Sequence, residues 1–325
     1  MSTKIRASKK QPPSLFTSLP KDIIVDITAR VPRCHYPTLS LVCKHFRSLV
    51  ASPELYTSRS LLGFAKPCLY VFLLNNNADD DLRCYILHRK TNRRRKTNGR
   101  LVIIPFLPTM PNNVRYVAVG LKIYVFGETD KDHNMTASAI TIDCISHKVQ
   151  TLPSMPIPLA GTVVDFIDGK IYIIGYCDKE WKKIKMVVFN TTTQMWEPEI
   201  IKPEMEICPV LPGHVVVMAD NMYVKGNDNT FVYDPKESTW GTDEMLNSKR
   251  WVRSCVVDDV LYYYDGSKLR TYDPKKRCWG VVKGLRELLF DRRCSGWSET
   301  VSYGGKLALL FRKQLLKLNL ILIKV

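Results

Sequence analysis

The sequence predicts a small helical module followed by a mainly β domain built from repeated sheets. Apolar residues recur at helical spacing between residues 20 and 63, and alternating β-branched and aromatic runs recur about every 40 to 50 residues after that. Of the 325 residues, 45% are hydrophobic and 24% are charged, as in an ordinary folded protein. No apolar run reaches the roughly 18 residues that a membrane-spanning helix needs, so no membrane contact is expected.

Three short helices are predicted in the N-terminal module. The first follows Pro20, a residue tolerated in a first turn, and stops at Pro32. The second is expected to run unbroken through the apolar stripe at 36–50. The third starts at Ser52 as N-cap and ends by Gly63. Because so small a module cannot bury much surface, a remaining apolar surface is a candidate docking face.

Residues 13–63 resemble an F-box. The match rests on the Leu19-Pro20 opening, the helix that ends near Val31, and the run LVCKHFRSL at 41–49. The resemblance implies docking to the small adaptor of an SCF-type (cullin-RING) ubiquitin ligase, and through it to a cullin. Each contact position could instead belong to the core of the module, since apolar helix stripes usually do. The implied adaptor-binding positions are Leu19, Pro20, Ile23, Ile27, Val31, Val42, Cys43, Phe46 and Leu49.

A repeated strand unit fills the rest of the chain. Alternating β-branched and aromatic residues, separated by Asp-Pro and Gly turns, predict strands. Units of about 40 to 50 residues with about four strands each predict propeller blades. Trp196, Trp240 and Trp279 end three of the units and are expected in the core. The anchor run of each unit reads CLYVFL (68), KIYVFG (122), KIYIIG (170), NMYVKG (221), VLYYYD (260) and KLALLF (306).

The units resemble kelch repeats, and the whole chain resembles the plant-type F-box/kelch-repeat family. The resemblance implies a kelch-type β-propeller of about five to six blades, the last of them short, because the chain ends with QLLKLNLILIKV soon after the sixth anchor run. The predicted domains are a basic disordered tail at 1–12, the F-box at 13–63 and the propeller at 64–325. Kelch units usually carry two adjacent glycines after the anchor strand, whereas single glycines stand at Gly127, Gly175 and Gly226.

Positive charge is concentrated in two segments. The formal net charge is +17, yet residues 1–21 and 82–127 contain no acidic residue. The densest run, RKTNRRRKTNGR, is interpreted as a solvated loop between strands, with a nuclear import signal or a phosphate-binding patch as alternatives. It contains no aromatic residue on which bases could stack, which argues against nucleic-acid binding. The centre of this basic patch is Arg93, Arg94, Arg95 and Lys96.

No catalytic or metal-binding motif is found in the sequence. The nucleophile-elbow, phosphate-loop, dinucleotide and zinc-protease patterns are absent, and the ten cysteines form no Cys-x-x-Cys pair. No secretory signal is recognised, so reduced thiols and a location in the nucleus, the cytoplasm or both are expected. Asp165, Asp168, Asp258 and Asp259 are interpreted as turn residues. The chain is therefore predicted not to be an enzyme and to need no cofactor or metal.

The predicted function is substrate recognition without catalysis. The F-box would dock the ligase adaptor while the propeller holds a target protein of unknown identity. The alternative is a kelch-type interaction scaffold unrelated to ubiquitination. Loop tryptophans and arginines are preferred contact residues, although packing between blades is the favoured role for each. The candidates for target binding are Trp181, Arg250, Trp251 and Arg253.

Overall fold

The chain divides into a helical unit and a β unit. Contacts separate Met1–Pro67 from Cys68–Val325. No helix in the described part of the chain is long and apolar enough to cross a membrane. The computed structural model describes residues 19–65, 67–74, 81–89, 99–104, 107–111, 114–127, 134–199, 201, 213–226, 228–285, 298–314 and 317–323.

The helical unit follows the predicted start and stop signals. Val31 is extended, as expected before a proline, and ends α1. The Ser52 hydroxyl accepts a hydrogen bond from the Leu55 N–H at 3.4 Å and caps α4. Gly63, with φ +71, lets the chain turn away after that helix. The helices are α1 (Lys21–Arg30), α2 (Tyr36–Val42), α3 (Lys44–Val50) and α4 (Pro53–Leu61), with a 3₁₀ turn at Arg33–His35.

The apolar stripe predicts one helix over residues 36–50, and this is wrong: the structure contains two. Cys43 is extended, with φ −161 and ψ 169, and separates α2 from α3. The Arg47 side chain donates from Nε to the Ser40 carbonyl at 3.3 Å, which satisfies an acceptor at the broken end of α2. In an unbroken helix Val42 would share a stripe with Phe46, four residues later. The break leaves Val42 exposed while Phe46 stays buried.

A buried arginine holds the helical unit together. Arg59 is only 6% exposed and donates to the carbonyl oxygens of Ala29 and Val31 at the end of α1. It also donates to the Phe64 carbonyl at 2.8 Å and to the Tyr36 hydroxyl at 3.0 Å. The last carbonyls of a helix have no intrahelical donor, so Arg59 satisfies them from α4. Around it lies the core of Ile24, Val25, Ala29, Tyr36, Phe46, Leu49 and Leu55.

The β unit is a propeller whose described residues form six antiparallel sheets in chain order. Five sheets have four strands and the sixth has three, which confirms the prediction of five to six blades with a short last one. In the first sheet, β2 pairs with β1 on one side and with both β3 and β4 on the other. The first two sheets contain β1 (Tyr70–Leu74), β2 (Asp81–Arg89), β3 (Gly99–Ile103), β4 (Met110–Pro111), β5 (Arg115–Val119), β6 (Lys122–Phe126), β7 (Ala139–Asp143) and β8 (Val149–Thr151).

In sheets two to five, the order of strands in the sheet is the order in the chain. A short helix, α5 (Glu244–Asn247), lies in the connection between the fourth and fifth sheets. The third and fourth sheets contain β9 (Ala160–Ile167), β10 (Lys170–Tyr176), β11 (Ile184–Asn190), β12 (Met195–Trp196), β13 (His214–Met218), β14 (Asn221–Lys225), β15 (Thr230–Asp234) and β16 (Thr239–Thr242). The last two sheets contain β17 (Cys255–Val257), β18 (Val260–Tyr264), β19 (Leu269–Asp273), β20 (Cys278–Val281), β21 (Ser298–Ser302), β22 (Leu307–Gln314) and β23 (Lys317–Ile323).

Consecutive sheets meet through their first strands. Contacts run from β5 to β9, from β9 to β13, from β13 to β17 and from β17 to β21. These five strands, which we call the inner strands, therefore surround the hub of the propeller. The faces of neighbouring sheets pack against each other outside the hub, as in the cluster that joins Val163 and Ile174 of the third sheet to Val215 and Val224 of the fourth.

Two-residue turns join β5, β9, β13 and β17 to the second strands of their sheets. Asp258 and Asp259 have φ values of +51 and +61, the type I′ geometry that follows the twist of a hairpin. The interpretation of Asp168, Asp258 and Asp259 as turn residues is confirmed. For Asp165 it is wrong, because this residue lies within β9 and pairs with Tyr172.

A close approach of Thr162 accounts for two of the three single glycines, Gly127 and Gly175. A Cβ atom at Gly127 would lie 2.4 Å from the Thr162 hydroxyl oxygen, and one at Gly175 would lie 2.7 Å from the Thr162 methyl carbon. Thr162, on the inner strand β9, thus fills the space that two glycines leave free. Gly127 has φ +81 in addition.

The repeat tryptophans lie partly buried on the outer strands. Trp196 donates from Nε1 to the Pro153 carbonyl at 2.8 Å, and Trp279 donates to the Met245 carbonyl at 2.8 Å. Pro153 lies in the connection that leads into the third sheet, which contains Trp196. Met245 lies in the connection that leads into the fifth sheet, which contains Trp279. The Trp240 ring packs at 4.8 Å from the ring of Tyr233. Trp196 and Trp279 therefore connect the outer strand of a blade to the segment that leads into that blade.

Candidate functional site

An apolar surface remains open on the helical unit. Three of its residues lie on α1 or just before it, and two lie at the end of α2. Ile23 and Ile27 are one helical turn apart and point away from the buried residues of α1. We call the five residues the apolar face; their exposed fractions are 38% for Leu19, 44% for Ile23, 42% for Ile27, 76% for Leu41 and 65% for Val42.

The nine positions expected to bind an adaptor separate into two groups. Phe46 and Leu49 are 8% and 5% exposed and belong to the core of the module, while Val31 is half-buried against that core. A buried side chain offers no surface to a partner, so Phe46 and Leu49 are corrected to core residues. Leu41, which the sequence analysis left out, joins the surface because α2 ends there. The exposed members of the nine are Leu19, Pro20, Ile23, Ile27, Val42 and Cys43.

The β unit has two different ends. The inner strands begin at one end, and the loops between the second and third strands of each sheet lie at the same end. In the third sheet, for example, Tyr176 at the end of β10 pairs with Ala160 at the start of β9 and with Ile184 at the start of β11. We call this end the loop face. The two-residue turns lie at the opposite end, which we call the hairpin face.

Three of the four residues expected to bind a target are exposed on the loop face. Trp181 lies between β10 and β11, is 41% exposed, and packs edge-on against Tyr176 with ring centroids 5.4 Å apart. Arg250 and Arg253 lie in the connection that leads into β17, and both are exposed. Their binding of a target stays a prediction.

Trp251 is not a surface residue. It is fully buried, in a cluster with Leu246 and Leu261. Its ring lies edge-on to His214 with centroids 6.0 Å apart, so it fills the contact between the fourth and fifth blades. Trp251 is corrected from a target contact to a core residue, because contacts between the fourth and fifth blades bury it, whereas Arg250 and Arg253 are exposed.

Ionisable side chains collect where the inner strands begin. Arg115 is the first residue of β5 and is exposed, yet the surrounding protein lowers its pKa by removing water. His214 is the first residue of β13, and its Nε2 lies 2.9 Å from the Ser254 carbonyl. A carbonyl only accepts, so Nε2 carries the proton. Burial lowers the pKa of His214 to about 4, and the charge of Arg115 adds to this effect.

Two acidic side chains of the inner strands are also perturbed. Burial raises the pKa of Glu299 to about 7, against the opposing charge of Arg253. Burial raises the pKa of Asp165 to about 6, although the Phe166 N–H donates to its carboxylate at 2.8 Å. The hub is therefore a poorly hydrated region even where its side chains reach solvent.

The sequence analysis named Asp165 only as a turn residue and did not single out Arg115, His214 or Glu299. The one signal in the sequence is their position. Arg115, His214 and Glu299 each lie at or next to the start of a strand that precedes an anchor run. Their proximity arises only when several sheets surround one hub.

Three further predictions concern metal binding, the basic patch and the cysteines. Within the described ranges, no group of three or more His, Cys, Asp or Glu is placed to hold a metal ion. The basic patch at Arg93, Arg94, Arg95 and Lys96 lies outside the described residues, so its interpretation stays a prediction. The described cysteines are free thiols at Cys43, Cys68, Cys84, Cys144, Cys177, Cys255 and Cys278.

Replacing Glu299 with glutamine is expected to stabilise the propeller at alkaline pH. The folded state raises the pKa of Glu299 from 4.5 to about 7, so folding favours the protonated form, and stability falls as pH rises through this range. Glu299→Gln stays neutral and should gain ~1–2 kcal/mol at pH 8, allowing for partial exposure, and little at pH 5. Thermal unfolding of both proteins at the two pH values measures the difference. An equal difference at both values would contradict the assignment.

The chain thus consists of a helical module with exposed apolar side chains, followed by a propeller with exposed tryptophan and arginine side chains at one end. A family model described as "F-box domain" matches residues 16–58, and one described as "FKB95, Kelch-repeats domain" matches residues 84–323. The chain belongs to the F-box/kelch-repeat family.

Curated relatives agree with this membership over most of the chain. F-box/kelch-repeat protein At4g38940 of Arabidopsis thaliana is 45% identical, over 95% of this chain and 86% of its own. F-box/kelch-repeat protein At4g39240 of the same plant is 38% identical, over 92% of this chain and 78% of its own. A solved structure described as "Structure of YjhT" aligns with a TM-score of 0.49 and 12% identity, over 80% of this chain and 95% of that chain.

Proposed function

We propose that the chain is a non-catalytic substrate-recognition subunit of an SCF-type (cullin-RING) ubiquitin ligase. The observation that carries the proposal is the apolar face of the F-box unit. Leu41 and Val42 are exposed at 76% and 65% although both are strongly apolar, and the break at Cys43 turns them outward. Isolated exposed apolar residues are ordinary, but a set on two helices of a small module is typical of an interaction site.

Burial of the apolar face would supply a substantial part of the free energy of docking. Full burial of one large apolar side chain is worth about 1.5–3 kcal/mol. Five partly exposed side chains therefore supply a gross gain on the order of 5–10 kcal/mol, to which the rest of the interface adds. Association itself has a cost of about 4–15 kcal/mol, so the apolar face offsets a large part of that cost, and the rest of the interface has to supply the remainder.

The propeller would supply the second contact. Its loop face presents Trp181, Arg250 and Arg253, and aromatic and arginine side chains are frequent energetic centres of protein interfaces. In this proposal the target protein binds there while the F-box unit holds the adaptor and, through it, the cullin. Catalysis of ubiquitin transfer would belong to the partners, and this chain would contribute by raising the local concentration of target lysines near them.

Affinity purification from a plant extract with the proteasome blocked tests this proposal. The full chain is compared with the Leu19→Ala/Pro20→Ala variant, which truncates the start of the apolar face. We expect the native chain to capture an SCF adaptor and a cullin, and the variant to lose both. Target proteins should remain on both, because the loop face is unchanged.

Two results of this purification would contradict the proposed ligase role. Capture of adaptor by neither protein, or by both equally, would contradict it. If the native chain captured partners without adaptor or cullin, the chain would instead be a kelch-type interaction scaffold unrelated to ubiquitination.

A further inference from the structure

We propose that the hub opening on the loop face holds an acidic side chain of the bound target, with Arg115 and Arg253 as its cationic contacts. The inference rests on the proposed function, since it names the chemistry by which the propeller recognises its target. It concerns the start of the inner strands rather than the outer loops.

Both arginines lack a counter-ion among the described residues. The hydrogen bond of the Arg115 guanidinium goes to the carbonyl of its own neighbour, Val114, at 3.3 Å. No described carboxylate lies within ion-pair distance of Arg115 or Arg253, whereas Arg30, Arg270 and other surface cations are paired. An exposed guanidinium without a partner presents five donors in a planar fork that matches a carboxylate.

The two arginines approach the same region from different sheets. Arg115 is the first residue of β5 in the second sheet, and His214 is the first residue of β13 in the fourth, where its Nε2 donates to the carbonyl of Ser254, the residue after Arg253, at 2.9 Å. Arg253 precedes the fifth sheet, and its carbonyl accepts a hydrogen bond from the hydroxyl of Thr300 on β21, in the sixth sheet. The hub opening is the region where the starts of these strands converge.

The opening is bordered by the starts of the inner strands, which contact one another from β5 to β21. Arg115 is exposed to solvent, and yet enough protein surrounds it to lower its pKa by desolvation. On a flat surface an exposed arginine keeps its water. In a poorly hydrated site, an ion pair with a ligand is stronger than on an open surface, because the effective dielectric constant is lower.

The other ionisable groups of the hub are compatible with an incoming carboxylate. His214 is neutral near pH 7, and its Nε2–H is already used by the Ser254 carbonyl. The pKa of Glu299 is about 7, so its protonated form is available when a second carboxylate arrives near Arg253. The backbone at Arg253 is fixed in place, because its carbonyl accepts a hydrogen bond from the Thr300 hydroxyl.

Selection of peptides on the full chain tests the inference. A random dodecapeptide library displayed on phage is selected on the immobilised native chain and on Arg115→Gln/Arg253→Gln. Lys148→Gln/Lys275→Gln is the matched control, since it removes the same net charge from exposed residues at the hairpin face. We expect the native chain and the control to enrich peptides rich in Asp and Glu by about threefold over the starting library, and the arginine variant to lose this enrichment.

The affinity of a selected peptide gives the second measurement. Fluorescence anisotropy compares one enriched peptide with its Asp→Asn or Glu→Gln analogue, and we expect the analogue to bind at least about tenfold more weakly to the native chain. Arg115→Lys/Arg253→Lys keeps both charges but loses the forked donors, so it should bind the acidic peptide about threefold more weakly. This variant decides the question if thermal unfolding shows that the glutamine variant does not fold.

Three outcomes would overturn the inference: no enrichment of peptides, enrichment without an excess of acidic residues, or an acidic excess that survives Arg115→Gln/Arg253→Gln. Adaptor capture by the same preparations separates these failures from failure of the proposed function. A chain that captures adaptor but selects neutral peptides overturns only the carboxylate site. A chain that selects acidic peptides but captures no adaptor overturns only the ligase role.

Discussion

Replacement of Ile23 and Ile27 with aspartate is expected to weaken binding of the SCF adaptor at least about 100-fold. Both side chains are exposed on one stripe of α1, at 44% and 42%, and neither belongs to the core of the module. Each would lose a part of the about 1.5–3 kcal/mol that burial of an isoleucine is worth, and each new carboxylate would lose water in an apolar interface. A combined loss above about 3 kcal/mol corresponds to more than 100-fold in Kd.

Leu61→Asp is the matched control for this double variant. Leu61 is an exposed apolar residue of the same unit, at 84%, but lies on α4 outside the apolar face. Adaptor binding, measured by biolayer interferometry, should change less than about twofold in the control. Equal losses in the control and in Ile23→Asp/Ile27→Asp would show that charge alone, and not the apolar face, determines the effect.

Replacement of Arg59 with methionine is expected to destabilise the helical unit by about 3–5 kcal/mol. The guanidinium donates to three backbone carbonyls and to the Tyr36 hydroxyl, and its charge lies over the Tyr36 ring with 5.5 Å between Cζ and the centroid. Methionine fills similar volume but donates nothing, so the carbonyls of Ala29 and Val31 would be left without this donor. A loss of this size is comparable to the whole stability of a small domain.

Urea unfolding of the full chain, followed by far-UV circular dichroism at helical wavelengths, measures this loss. Adaptor binding should fall in parallel, because the apolar face needs a folded module. Arg47→Met is the control: Arg47 is exposed and makes one hydrogen bond, to the Ser40 carbonyl, so we expect a cost of about 1 kcal/mol or less. A cost for Arg59→Met no larger than that of the control would contradict the assigned role.

Local chemistry explains why much of the fold was predictable. Pro32, Ser52 and Gly63 set helix ends through their own backbone and side chains, and the structure follows them within one or two residues. The alternating anchor runs predict strands because side chains in a strand alternate between two faces. Both kinds of signal depend on residues close in sequence.

Features that depend on distant residues were not predictable. The break at Cys43 separates two halves of a continuous apolar stripe, and the benefit of the break comes from packing of Phe46 against other helices. Trp181 and Trp251 both lie in loops between strands, and only contacts between blades decide that Trp251 is buried. The sequence contains one weak indication that Arg59 is buried. It stands four residues after the buried Leu55, on the stripe where an apolar residue would be expected.

The ionisable side chains of the hub are a second feature that depends on residues distant in sequence. Arg115 and Glu299 are far apart in the chain, and neither belongs to a motif. Their perturbed pKa values arise from the ring of inner strands, which removes water from side chains that a single blade would leave hydrated. The environment of these side chains is therefore a property of the assembled ring rather than of one repeat.

Calorimetric titration of the native full chain with a purified SCF adaptor is the most direct measurement of the central claim. We expect one adaptor per chain, a Kd in the micromolar range or below, and a negative heat-capacity change from burial of the apolar face. The absence of binding at adaptor concentrations of about 100 μM, with the helical unit shown to be folded, would contradict the account.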